Sequence, residues 1–459
     1  MNSYKKLLST TMVLAIGSFS SKVLVFLMMP FYTRMLSTSD YGTVDLIIQT
    51  CNLLIPLATI GIANSVIRFG LDRDSNKKAV FTTGIVTVLA GFVLLCLFSP
   101  LLRYIGFSQY TFLILIYVLT SSFHTVCAQF VQAKKYTRLF AVDGVLRTVL
   151  TIGLNVLFLM VFRLGVTGYV LATIISDFIS VIFLFGVARL RRYISFSSLN
   201  RETTSTMLRY SIPLIPTMLC VWIISLSDRY MLRYFVSVSA TGIYAVSNKI
   251  PTLLSIVASI FGDAWQISIV SEDKEKQQHF FSNVFATYQC IALIGASGLI
   301  MTAKLSTTLL ASPSYYSAWE CIPPLVLGIM CSCLGTFLAS IYMVEKQSVY
   351  TLITTAIGAA SNVILNFILI PPYHALGAAI ATCTSYFLIF FIRSIHTRRF
   401  IPVDWHLEKF LPAFLLVFAQ GVLMVTEPPL WILWQIVIFL IVLFLNYKTL
   451  LRSVSRILH

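Results

Sequence analysis

Apolar runs of about 20 residues, separated by short polar breaks, fill almost the entire chain. They predict helical spans at roughly 7–29, 43–67, 79–102, 109–132, 140–162, 166–188, 208–232, 239–269, 279–303, 320–344, 348–370, 374–394, 408–426 and 430–450. The pattern is that of an all-α membrane protein with 14 transmembrane helices, which leaves both termini on one side. No loop exceeds about 20 residues, so an extramembrane domain of ordinary size has no room. The opening MNSYKK and the run after it lack a short apolar core followed by a small-residue cleavage site. They read as a retained first helix rather than a signal peptide.

A repeat recurs at a spacing of about 200 residues. RMLSTSDYGTV, from Arg34 through Gly42, parallels RYFVSVSATGIY, from Arg233 through Gly242. Gly168, Ala172, Thr173, Ser176 and Phe178 parallel Gly377, Ala381, Thr382, Ser385 and Phe387, with Asn155 and Asn366 upstream. Six intervening helices, an even number, give the two copies the same orientation, as parallel repeats about an axis along the membrane normal. The expected organisation is an N-lobe of six spans at 1–188, a cytoplasmic linker at 189–207, a C-lobe of six spans at 208–400, and two further helices with a cytoplasmic tail at 401–459. Trp405, Trp431 and Trp434 flank the last two helices as expected interface anchors.

Composition supports this picture. The 459 residues are 58% hydrophobic and 11% charged, with a mean hydropathy of +0.88. A net charge of +16 raises the question of nucleic acid, but its placement excludes it. Lys5, Lys6, Arg68, Arg73, Lys77, Lys78, Lys134, Lys135, Arg138, Arg189, Arg191, Arg192, Arg398, Arg399 and Arg452 fall in the N-terminus, alternate loops and C-terminus. The opposite loops hold Arg34, Arg103, Arg163, Arg233 and Lys304, so the termini are expected in the cytoplasm. The nine cysteines lie mostly within spans and offer neither a disulfide framework nor metal-ligand spacing.

Several motifs then resemble a known family. Pro30, Arg34, Leu36, Ser37, Asp40, Tyr41 and Gly42 follow the first span, and Gly61-Ile62 with Arg68-Phe69 mark the second. Tyr210, Pro213, Pro216, Trp222 and Ser227-Asp228-Arg229 mark the seventh, and Gly242, Tyr244, Asn248-Lys249 and Ala264-Trp265 the eighth. The run Asn362–Asn366 with Gly377-Ala-Ala completes the set. In order and spacing the sequence resembles the multidrug/oligosaccharidyl-lipid/polysaccharide (MOP) exporter superfamily, and within it the polysaccharide transporter branch of Wzx-type flippases. His374 departs from the pattern, where such proteins usually carry glycine. The resemblance implies two six-helix bundles around a cavity open alternately to each side. It also implies a polyprenyl-pyrophosphate-linked oligosaccharide as cargo, in a bacterial cytoplasmic membrane, for capsule, O-antigen or exopolysaccharide synthesis. A polysaccharide polymerase and glycosyltransferases would be its neighbours.

Moving such a headgroup across about 30 Å of hydrocarbon calls for a polar cavity with cations at the depth of the phosphates. Lys22, Arg147, Arg229 and Lys249 lie within spans and are the candidate substrate-binding residues. Arg147 follows Asp143 by four residues, so an intrahelical ion pair is its alternative. Arg229, near a span end, has snorkelling as its alternative. Among the carboxylates within spans (Asp45, Asp177, Asp228 and Asp263), Asp177 and Asp228 are candidates for coupling to H+ or Na+, or for pairing with the basic residues. His124 reads as a hydrogen-bonded core residue or a proton relay, and Trp222, Trp265 and Tyr244 as packing or sugar-stacking groups. No P-loop, nucleophile elbow or metal motif is present, so neither an enzyme nor a resident cofactor is expected. Competing readings are a cation-coupled multidrug antiporter, which Lys22 and Lys249 disfavour by repulsion, and a membrane-embedded polysaccharide polymerase or ligase.

Overall fold

The computed structural model describes residues 23–458 apart from 25, 73–74, 103–105, 271–273, 346 and 406. Its side chains are described except at these positions and at 101–102, 260–270, 274–280, 283, 348, 448 and 450–458. Lys22, Asp263 and Trp265 thus lie outside the described positions, the last two for their side chains.

The described residues are almost entirely helical and contain no strand. Ten of these helices are long and apolar enough to cross a membrane. In chain order the principal helices are α1 (Met29–Met35), α2 (Thr38–Ala58), α3 (Ile62–Leu71), α4 (Lys77–Leu97), α5 (Thr111–Ala133), α6 (Thr137–Val156) and α7 (Gly165–Val187). There follow α8 (Arg201–Ser211), α9 (Ile215–Phe235), α10 (Val238–Ser247), α11 (Lys249–Val270), α12 (Lys274–Met301) and α13 (Ala303–Leu310). The series ends with α14 (Ile322–Val344), α15 (Ser348–His396), α16 (Leu407–Thr426) and α17 (Trp431–Leu458). Every expected span from the second onward falls on these helices, although four are built differently. The second breaks at Ile60-Gly61, both with positive φ, and the eighth at Asn248. The eleventh and twelfth run together in α15 across a kink at His374.

The chain forms two compact units, one of residues 1–36 and 43–222, the other of 37–42 and 223–459. In the first unit α3, α4, α5 and α7 enclose a core that includes Ile62, Val66, Phe81, Val126, Phe130 and Leu184. The segment expected as a linker belongs to this core, with Leu190 and Met207 fully buried. Asn200 caps α8 by accepting from Glu202 N–H, and Ser65 Oγ donates to the Met207 carbonyl at 2.6 Å.

In the second unit the repeat explains itself. Ser37 Oγ accepts from Asp40 N–H at 3.1 Å, and Ser237 Oγ accepts from Ala240 N–H at 3.0 Å, so the same serine opens α2 and α10. The starts of these helices touch reciprocally at glycines. A Cβ on Gly42 would stand 2.2 Å from the Val238 carbonyl oxygen, and one on Gly242 would stand 1.9 Å from that of Thr38. Only hydrogen fits at either place. The two helices beyond the repeat are held by buried amides: Ser297 Oγ donates to Gln420 Oε1 at 2.6 Å, and Gln435 Nε2 donates to the Gln420 carbonyl at 3.1 Å. Trp405 is buried among Phe285, Phe390 and Phe410 rather than lying at an interface, whereas Trp434 is exposed.

Candidate functional site

Each unit buries a polar cluster among its apolar helices, and each holds one of the two aspartates singled out for ion coupling.

In the second unit Asp228 of α9 is 1% exposed. Oδ2 accepts from Thr382 Oγ1 at 2.6 Å and from the Tyr244 hydroxyl, while Oδ1 accepts from Asn366 Nδ2 at 2.6 Å and Asn362 Nδ2 at 3.2 Å. Helix α10 and the two arms of α15 supply these donors, because α15 folds back at His374 and brings Asn362, Asn366 and Thr382 to one level. Asn362 and Asn366 are one turn apart and therefore share a face. Ser227 Oγ donates to Asn362 Oδ1 at 2.7 Å and fixes that amide. Asn366 Oδ1 is buried and accepts no hydrogen bond. Leu232, Leu325, Ile370, Ala378 and Ala379 pack around the cluster and keep it in an apolar surround.

An anion held by four neutral donors, with a buried amide oxygen left over, is an arrangement suited to a monovalent cation or a proton. The ligands available are oxygens, and no group of three or more His, Cys, Asp and Glu residues occurs among the described residues. Asp228, Thr382, Asn362 and Asn366 are the side chains that would hold such an ion.

Arg229 does not snorkel. It is 6% exposed, donates from Nη1 to the Ser225 carbonyl at 2.6 Å and lies over the Tyr244 ring at 5.7 Å. Lys249 opens α11, half-buried, directly after the break at Asn248. Asn248 Nδ2 donates to the Tyr244 carbonyl at 2.8 Å, which ties that break to the helix carrying the Asp228 donor. Tyr244, 1% exposed, is a donor to Asp228 and offers no face to a sugar.

In the first unit the residues pair across helices. Arg147 of α6 forms an ion pair with Asp177 of α7, which also accepts from Ser121 of α5. The side chain of Asp177 is fully buried and that of Arg147 is 37% exposed. Asp143, one turn before Arg147, takes other partners: His124 Nε2 at 2.9 Å and the Ser180 hydroxyl. The intrahelical Asp143–Arg147 pair considered from spacing is therefore replaced by two interhelical links.

Thr382, Asn362 and Asn366 entered the sequence reading as motif residues and not as site residues. Their signal was the presence of amides and hydroxyls one turn apart within apolar runs. Arg393, also overlooked, is 6% exposed and donates to Thr354 Oγ1, Thr355 Oγ1 and the Gly335 carbonyl, each at 3.0 Å. Neutral oxygens satisfy it, which marks it as a brace between α14 and α15.

A multi-pass helical membrane protein with buried charged clusters in both halves has the fold of MOP superfamily transporters. The first structural relative is described as the lipid II flippase MurJ in an inward closed conformation, with a TM-score of 0.72, 14% identity, and coverage of 97% of this chain and 100% of that one. A multidrug resistance MATE family transporter in an inward-facing conformation matches with a TM-score of 0.67, 15% identity, and coverage of 84% and 97%. A MOP superfamily transporter from Pyrococcus furiosus matches with a TM-score of 0.58, 16% identity, and coverage of 85% and 94%. No curated protein matches the chain by sequence. The chain belongs to the polysaccharide biosynthesis protein family, whose characteristic pattern covers residues 7–265.

Proposed function

We propose that this chain is an alternating-access flippase that carries a polyprenyl-pyrophosphate-linked oligosaccharide across the bacterial cytoplasmic membrane, with both termini in the cytoplasm. Capsule, O-antigen or exopolysaccharide synthesis is the process it would serve, next to glycosyltransferases and a polymerase. The observation that carries the reading is membership in the polysaccharide biosynthesis family on a fold shared with transporters. The match to the lipid II flippase runs over 97% of the chain, while the multidrug transporter match stops at 84%, which favours a lipid-linked cargo over a drug.

The cargo sets the chemistry. An unshielded anion of pyrophosphate size faces an idealised barrier of order 20 kcal/mol in hydrocarbon. Lys22, Arg229 and Lys249 are the proposed cations that lower it, and Arg147 contributes less because Asp177 already neutralises it. Asp228 is the proposed coupling site, held by Thr382, Asn362 and Asn366 and taking Na+ or H+; it supplies a charge change, not a reaction, and the protein acts as a transporter rather than an enzyme.

The test is export in a strain whose only copy is Lys22→Glu or Lys249→Glu. Polysaccharide at the surface should disappear while the protein remains at normal levels in the membrane, and lipid-linked oligosaccharide should accumulate inside. Normal export in both variants would reduce the lysines to structural residues and remove the basis of the cargo assignment.

A further inference from the structure

Three connections at one end of the first unit carry basic residues, and the fold draws them together. They join α3 to α4, α5 to α6, and α7 to α8. Lys78 stands at the first, Lys135 and Arg138 at the second, and Arg189, Arg191 and Arg192 at the third. Tyr193 is the joint between them. Its carbonyl accepts from Thr82 Oγ1 of α4 at 3.2 Å, its ring meets Phe130 of α5 at 5.1 Å, and Lys134 Nζ lies 5.2 Å from the ring centroid. Ser195 N–H donates to the same Thr82 Oγ1 at 3.0 Å, and Leu190 is buried in the core of the unit. The connection from α7 to α8 is therefore a fixed shelf packed on the ends of its neighbours.

The backbone explains the turns but not their charge. Lys135 and Arg189 follow the ends of α5 and α7 with φ 62° and 49°, the left-handed conformation in which a helix commonly finishes on glycine. Tyr136 N–H donates to the Val131 carbonyl at 3.1 Å and Lys135 N–H to that of Gln132 at 2.8 Å, which closes the first of these turns. Glycine would adopt either turn more easily. A cation after a helix C-terminus does meet the helix dipole favourably. Lys78 and Arg138, however, lie in the first turns of α4 and α6, where the dipole favours the opposite sign.

All six of these basic side chains are exposed, and Asp72 and Glu202 share the surface with them. Apolar groups stand on the same connections: Phe196, Tyr136 and Leu199 are 66%, 45% and 38% exposed. Depth decides what meets them. Helix α7 has 23 residues, about 35 Å at 1.5 Å per residue, so its end reaches past about 30 Å of hydrocarbon into the headgroup layer. Arg189, Arg191 and Arg192 follow that end directly. Cations interleaved with exposed aromatic side chains at this level suit an anionic lipid, whose phosphates face the cations while the rings anchor beside them.

We propose that this shelf binds the phosphodiester headgroup of an anionic bilayer lipid of the phosphatidylglycerol class. The surface is separate from the cation cluster at Asp228, and the inference needs neither the identity of the cargo nor the orientation of the chain. The test is lipid binding to the purified full-length protein in nonionic detergent, counted by native mass spectrometry. Phosphatidylglycerol should bind about tenfold or more tightly than phosphatidylcholine with the same acyl chains, and added salt should narrow the difference. Lys135→Gly with Arg189→Gly and Arg191→Gln should remove most of that preference, and glycine is compatible with both left-handed turns. Arg398→Gln with Arg399→Gln and Lys409→Gln removes the same charge from the second unit and should leave the preference intact. Equal binding of the two lipids by the wild type, an undiminished preference in the first variant, or the same loss in both variants would overturn the proposal. So would tighter binding of a polyprenyl pyrophosphate that the first variant abolishes, because the surface would then belong to the cargo. If the first variant does not fold, the wild-type comparison of the two lipids and its salt dependence decide.

Discussion

Asp228 and Asp177 have the same side chain, similar burial and comparable apolar neighbours, yet their partners give them different chemistry. The hydrogen bonds to Asp228 come from neutral donors, with the buried Arg229 guanidinium nearby over the Tyr244 ring, whereas a guanidinium is bonded directly to Asp177. Purified wild-type protein should therefore melt roughly 2–4 °C higher in NaCl than in choline chloride, or show that gain on acidification if the ion is H+. Asp228→Asn should lose the gain, as a differential scanning experiment would read. Arg147→Gln should destabilise by about 2–3 kcal/mol because it leaves Asp177 buried without a cation, and adding Asp177→Asn should recover most of that loss. A chemical-denaturation double-mutant cycle measures both numbers. The sequence exposed these residues as charges within apolar runs, but not their pairing. Spacing offered Asp143–Arg147 on one helix as an alternative, while the actual partners are 30 and 19 residues apart and meet only once α5, α6 and α7 are packed.

Hydropathy placed the helices well because lipid leaves the backbone few alternatives to a continuous helix. The breaks inside them were harder to read. His374 has φ 51° and ψ −127°, a conformation suited to glycine, and it lets α15 fold back to bring Thr382 beside Asn362. The spacing of Gly168 to Gly377 carries Gly165 onto His374, and Gly165 has φ 53°. The repeat thus preserved the backbone turn and lost the residue that makes it easy. His374→Gly should raise stability by about 1 kcal/mol without loss of transport, measured as a shift in thermal or denaturant midpoint. Gly242→Ala should do the reverse, costing about 1–3 kcal/mol or folding yield, since its methyl would lie against the Thr38 carbonyl. Segment 189–207 was the element least legible in advance. Its polarity suggested an exposed connection, yet Leu190 and Met207 complete the core of the first unit.

Across the molecule the repeat is symmetric in structure and asymmetric in charge. Asn155 and Asn366, Ser176 and Ser385, and Thr173 and Thr382 recur in the two halves, and Asn155 Oδ1 and Asn366 Oδ1 are both buried without a donor. The register that joins Arg34 to Arg233, however, sets Met29 where the second half has Asp228. Only the second half combines the amides with a carboxylate at that level, so one cation site is expected per molecule. This division was readable from the repeat, but the meaning of the amides emerged only when α15 placed them on Asp228. The proposed function requires the protein to move a diphosphate headgroup between leaflets. The most direct test is transbilayer movement of a fluorescent polyprenyl-pyrophosphate oligosaccharide in vesicles containing the purified protein. Wild-type vesicles should carry the label across far faster than protein-free vesicles, and Lys249→Glu vesicles should match the protein-free rate. A wild-type protein that leaves the label on its starting leaflet, or a Lys249→Glu protein that moves it equally fast, would contradict the proposed mechanism.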